Sequence, residues 1–130
     1  MEIKTGIVKT LYPERCTARV MFEDSDNLIS AELQVVVKGS LKNKDYWMPD
    51  LESEVLCVFT NQKKGFILGS FYSEKVPPPV DKEHKRVVRF EDKTTYEYDS
   101  KTHTMTRYSP HTITEERSDV DLWEGVSWLK

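Results

Sequence analysis

Three consecutive prolines, Pro77-Pro78-Pro79, constrain this chain more than any other feature. Each fixes φ and removes a backbone N–H, so the run can enter neither a helix nor a sheet ladder. Val76-Pro77-Pro78-Pro79-Val80 therefore reads as a stiff, extended polyproline connector over residues 76–80. It divides the 130 residues into a stretch over 1–75 and a stretch over 81–130. A stiff spacer holds two modules at a set separation rather than letting them tumble.

The first stretch reads as a small β domain. Cys16, Ala18, Val20 and Phe22 share a parity, with Met21 breaking the pattern, as in a strand with one wet face. The polar run Glu23-Asp24-Ser25-Asp26-Asn27 is a turn. Residues 28–37 form the next expected strand, with Ile29, Leu33, Val35 and Val37 on one side. Residues 39–45 read as a polar loop, and residues 49–54 have room for a short turn. Residues 54–60 place Val55, Cys57 and Phe59 on one face and Leu56 and Val58 on the other. Apolar residues on both faces predict a strand buried on two sides, as at a barrel closure. Gly65 is expected to supply positive φ in the following hairpin loop. Gly69 is expected to mark a bend or a close backbone approach in the return strand 66–72. About five short strands in so few residues predict a five-stranded barrel that closes its own edges, for which the OB-fold is the common solution.

The second stretch is different. Residues 86–90, 94–98, 102–107 and 111–115 are strand candidates about 8–9 residues apart, rich in Thr, Tyr and Val. Each offers only one or two large apolar side chains to a face: Val88 and Phe90, Tyr96 and Tyr98, Met105, Ile113. Ordering the backbone costs about 1–2 kcal/mol per residue, which so few contacts cannot offset. This segment is expected to order against copies of itself, a symmetric oligomer burying the single apolar stripe along its axis. The tail over 118–130 carries Trp123 and Trp128, large aromatics that suit contact with a partner or a neighbouring subunit. Ser118 with Asp121 could cap a short helix there, bearing Leu122, Val126 and Leu129 on one face, although Gly125 weakens it.

Charge excludes more than it suggests. Lys+Arg is 19 and Asp+Glu 22, a net charge of -3 spread evenly along the chain. No basic block argues for a nucleic-acid partner. No apolar run reaches the length of a membrane span, and no signal-peptide core follows Met1. Cys16 and Cys57 read as small core residues of a protein made in a reducing compartment. No nucleophile elbow, P-loop, dinucleotide fingerprint or HExxH is present, so no enzyme is expected. Glu23-Asp24-Ser25-Asp26 lacks the Gly and the bidentate Glu of a calcium loop. His103 and His111 fall on consecutive expected strands and on a threefold axis would converge. Solvated strand histidines are the simpler reading, and no metal or cofactor is expected.

The order of parts resembles the baseplate assembly protein V family, the central spike of contractile-tailed phages, and the short spikes of related injection systems. The resemblance rests on Gly6-Ile7-Val8, on Ala18-Arg19-Val20-Met21-Phe22 with its acidic turn, and on Ser30-Ala31-Glu32-Leu33. It continues through Trp47-Met48-Pro49, Glu54-Val55-Leu56-Cys57-Val58, and Gly65-Phe66-Ile67-Leu68-Gly69-Ser70-Phe71-Tyr72-Ser73 before the prolines. After them, Phe90-Glu91-Asp92-Lys93-Thr94-Thr95-Tyr96-Glu97-Tyr98-Asp99 looks like the first spike strands. Ser53 and Lys93 stand where the family often has Gly, which touches loop shapes. The family's longer members end in an iron-binding His-x-His apex; the histidine spacing here differs, so iron is not carried over.

The resemblance implies a homotrimer in the virion tail baseplate, made in the host cytoplasm. Three OB-folds would form a collar docked to baseplate hub and tail tube proteins. Three C-terminal segments would intertwine into a β-prism or β-helix needle that transiently disrupts the host cell envelope. Val88, Phe90, Tyr96, Tyr98, Met105 and Ile113 would line the trimer axis, and Trp123 and Trp128 would contact a tip partner. The alternative is an OB-fold binding module for single-stranded nucleic acid or a glycan, with a flexible C-terminal arm.

Overall fold

A computed structural model describes residues 1–61 and 64–110. Their regular structure is nine β-strands and one 3-10 turn over Glu23–Ser25; no α-helix occurs among them. The chain divides into two units, Met1–Pro77 and Pro78–Lys130, with the boundary inside the proline triplet.

The first unit is a closed five-stranded barrel. Its strands are β1 (Glu2–Tyr12), β2 (Thr17–Phe22), β4 (Leu33–Val35), β5 (Glu54–Phe59) and β6 (Gly65–Ser70), with β3 (Leu28–Ile29) appended to β2. The ring runs β1-β5-β6-β4-β2 and returns to β1. β4 and β6 pair parallel and every other pair is antiparallel, consistent with an OB-like barrel.

β1 makes closure possible because it serves two neighbours. Its first half, Glu2 to Ile7, pairs with β5, and Ile7 to Tyr12 pairs with β2 across an irregularity between Val8 and Thr10. Gly6 sits at the changeover. A Cβ there would meet Val20 Cγ1 at 2.5 Å and the Met21 carbonyl at 2.7 Å, so only glycine lets β1 cross β2 this closely.

The core is the inward parity of these strands: Val8, Ala18, Val20, Phe22, Leu33, Val35, Val55, Cys57 and Ile67. Phe22 and Phe59 meet edge-on at 5.8 Å. Burial in this core pushes the Cys57 thiol pKa up to about 11.

Several local expectations are corrected. The strand expected over 28–37 is two pieces, and Ile29 is 53% exposed. Ser30 breaks it by turning its hydroxyl back to accept the Val20 N–H. Cys16 lies in the β1–β2 turn with φ 54°, not in the strand. Gly65 does not have positive φ. Its Cβ would strike the Phe59 ring at 2.6 Å and Leu33 at 2.9 Å, so packing requires it. Gly69 has nothing within 4 Å of an added Cβ. It lies at a register shift opposite Leu56 and Cys57, which makes it a bend.

The second unit is described as one antiparallel sheet of β7 (Lys85–Arg89), β8 (Thr95–Asp99) and β9 (Thr104–Tyr108), in that order. The strand candidate over 111–115 lies outside the described residues. His103, expected within a strand, sits in the turn before β9 with φ 58°.

Candidate functional site

The site is one face of the β7–β8–β9 sheet, and its hairpin turns fix which side chains share it. In the first turn Lys93 N–H donates to the Phe90 carbonyl at 3.0 Å and Phe90 N–H to the Thr94 carbonyl at 2.9 Å. The Asp92 carboxylate accepts the Thr94 N–H at 3.0 Å. Lys93 takes φ 79° to complete it, at the position where the resemblance leads one to expect Gly. In the second turn the Asp99 carboxylate accepts the N–H groups of Lys101 at 2.9 Å and Thr102 at 3.2 Å. Burial opposes the charge of Asp99, but those N–H groups, with His84 and Lys85 close by, prevail and hold its pKa below the ordinary value.

The resulting register sets Arg86, Tyr98 and Met105 in one cross-strand row and Val88, Tyr96 and Arg107 in the next. Phe90 follows, its ring edge-on to Tyr96 at 6.0 Å. Five of the side chains expected to share a stripe thus come together: Val88, Phe90, Tyr96, Tyr98 and Met105. They remain 37% to 75% exposed, Tyr98 least and Met105 most. Ile113, Trp123 and Trp128 lie outside the described residues.

Two residues of this face were missed. Arg86 stands directly beside Tyr98, and Arg107 beside Tyr96. Their parity was readable, since Arg86 is two residues before Val88 and Arg107 two after Met105. They occupy the outer strands, at opposite corners, while the two tyrosines hold the central strand. The carboxylates of β8, Glu97 and Asp99, fall on the other face by the same alternation. There Lys85 pairs with Glu97 at 3.4 Å and His84 Nε2 lies 3.7 Å from Asp99. The strand carboxylates are therefore confined to one side, which also carries Lys85, Val87, Arg89 and Tyr108, while Arg86 and Arg107 share the other side with the apolar stripe.

The barrel carries a different surface cluster. Arg15 holds Glu32 through two bonds of 2.9 and 3.1 Å and Glu14 at 3.1 Å, and lies 4.7 Å over the Tyr12 ring. Thr17 donates its hydroxyl to Glu32 at 2.6 Å. The Arg15 and Thr17 bonds draw the Glu32 pKa below the ordinary carboxylate value. This network ties the β1–β2 turn to the β3–β4 connection and uses its cations internally. Among the described residues no group of three or more His, Cys, Asp or Glu side chains is arranged to hold a metal. No family model matches the chain, and no curated protein matches it.

Proposed function

We propose that the chain is a structural, self-assembling spike component of the kind its sequence resembles, a baseplate protein of a contractile tail or injection system. In this reading three copies associate. The barrels form a collar on hub and tail tube proteins, and the segments after the prolines wind into a short β-prism or β-helix needle. The work is mechanical: contraction drives the needle against the host cell envelope, and no catalytic group takes part.

One observation carries the reading. A three-stranded sheet keeps Val88, Phe90, Tyr96, Tyr98 and Met105 on one face, 37% to 75% exposed. A sheet buries one face against another layer, and this face is left open among the described residues; in this reading the layer comes from another molecule. Copies of the same sheet can supply it around an axis, with the arginines at the rim and the tyrosines at the centre. Light scattering or sedimentation tests the reading. It expects three times the 15.2 kDa chain mass at micromolar concentration. A monomer overturns it.

The second reading gains from the same face. Tyrosines in the centre of a sheet, each beside an arginine, form a stacking platform with positive corners, as single-stranded nucleic acids use. Binding of an oligonucleotide that weakens steeply with salt, by a monomeric protein, would favour this reading over assembly.

A further inference from the structure

The barrel carries a concavity of about 490 Å³ beside β4, outside the hydrophobic core. Alternation makes its floor. Leu33 and Val35 point inward and are buried, so Gln34 points outward. Phe66 of β6 is the register partner of Gln34 and stands beside it on the same side. After β4 the chain loops back as a wall. Ser40 and Lys44 pair as an isolated antiparallel bridge, and the Asp45 N–H donates to the Gly39 carbonyl at 2.9 Å. The wall is tied down at three points. Trp47 Nε1 donates to the Val36 carbonyl at 3.0 Å, Cys16 Sγ to the Trp47 carbonyl at 3.5 Å, and the Tyr46 hydroxyl to the Pro13 carbonyl at 3.1 Å. The Tyr46 ring is therefore held in place while 61% exposed.

The polar side chains of the concavity have no protein partner to give up. Among the described residues, Gln34, Ser40, Lys44 and Asp45 make no side-chain hydrogen bond or ion pair. Arg15, also at its rim, is held by Glu14 and Glu32. The free charges that line it are thus one ammonium and one carboxylate, which cancel. We propose that this concavity binds a neutral saccharide of one or two pyranose rings. A pyranose has an apolar C–H face and a rim of hydroxyls that both donate and accept. Tyr46 and Phe66 offer flat apolar rings to that face. Gln34 and Ser40 donate and accept at the rim, and Asp45 accepts. The volume lies within the range of about 300–1,000 Å³ of small-molecule sites. An anion would meet Asp45 as well as Lys44, and a purely apolar ligand would strip water from four unpaired polar groups. The inference uses only the first unit, so it goes beyond the spike reading and does not depend on assembly.

The test titrates the full chain, labelled with nitrogen-15, with neutral disaccharides of glucose, galactose, mannose and N-acetylglucosamine at up to about 20 mM, followed by NMR. The expected result is that at least one of them shifts the amides of residues 34–46 and of Phe66 saturably. Tyr46→Ala should weaken that binding at least tenfold. Gln34→Ala, which removes no protein contact, should weaken it severalfold and keeps the test valid if Tyr46→Ala displaces the loop. Cys16 lines the same concavity and Cys57 is buried, so alkylation of the folded protein reads Cys16, and the bound saccharide should slow it severalfold. No saturable shift from any of the four, or binding that both substitutions leave unchanged, overturns the inference. So does an oligonucleotide that shifts the same amides at lower concentration than any saccharide. Light scattering of the same sample reads assembly separately, so failure of the spike reading and failure of this one are told apart.

Discussion

Replacing Tyr98 by Asp tests the sheet face at its centre. Tyr98 lies on the middle strand, between Arg86 and Met105 in register. It is 37% exposed in the single chain, which leaves about 80 Å² for a neighbour to cover. At about 25 cal/mol per Å² that is about 2 kcal/mol per copy, or about 6 kcal/mol over three copies. The introduced carboxylate adds a desolvation cost in the same direction. Six kcal/mol is about four decades in the assembly constant. A trimer constant varies with the square of concentration, so half-assembly moves up about a hundredfold. Light scattering from 1 to 100 μM should show wild type at trimer mass and Tyr98→Asp losing it across that range. Tyr108→Asp is the control. Tyr108 is 54% exposed but pairs with Thr95 on the other side of the sheet, so this variant should stay assembled. Hydrogen exchange of β5 amides should be equally slow in all three, since the barrel lies in the other unit. The reasoning fails if Tyr98→Asp keeps the trimer at 1 μM, or if Tyr108→Asp dissociates as readily.

Three further outcomes follow from the local chemistry. With its pKa pushed up to about 11, Cys57 at pH 8 is about one part in a thousand thiolate, and its side chain is fully buried. A thiol reagent should label it only at the rate of barrel unfolding; rapid labelling in the folded protein would contradict the burial. Glu32 has a lowered pKa, so its contribution is complete above the unfolded value of 4.5 and is lost as pH falls through the lower folded value. Acid titration of stability should therefore be shallower below that pH for Glu32→Gln than for wild type, and identical slopes would refute it. Lys93 holds φ 79°, where an L side chain costs about 1–2 kcal/mol and glycine only its chain entropy. Lys93→Gly should stabilise the second unit by roughly 0.5–1 kcal/mol in denaturant melts, and destabilisation would show that the turn tolerates lysine without strain.

Much of the barrel was legible because alternation is a direct image of burial. Ala18, Val20 and Phe22 point inward as their parity requires, with Met21 facing out, and Val55 and Cys57 do the same in β5. What parity could not show was how strands share neighbours. β1 pairs with β5 and β2 in turn, and the glycine that permits this, Gly6, carries no local turn signal. Gly65 was legible as a constrained position, but the constraint is the Phe59 ring packed against it rather than a backbone angle. Ile29 shares a parity with Leu33 and Val35 and still ends exposed. The Ser30 hydroxyl interrupts the ladder between them, and alternation does not register a side chain that competes for backbone bonds.

The second unit shows the same logic carried one step further. Its apolar side chains were legible as a stripe because each strand offers so few, and the register places Val88, Phe90, Tyr96, Tyr98 and Met105 on one side. Charge summed along the chain does not register the arginines, because 19 basic and 22 acidic residues nearly cancel. On a sheet the relevant sum is per face. β8 alternates Tyr96 and Tyr98 with Glu97 and Asp99, which sends every carboxylate of the central strand to the side away from Arg86 and Arg107. A chain whose charges nearly balance thus acquires one sheet face with arginines beside tyrosines and no strand carboxylate, and another on which Lys85, Arg89, Glu97 and Asp99 are mixed. An assembly that brings three such faces together must set six guanidinium groups at its edges, away from the axis. The corner positions of Arg86 and Arg107 allow that arrangement, and a central position for either would forbid it.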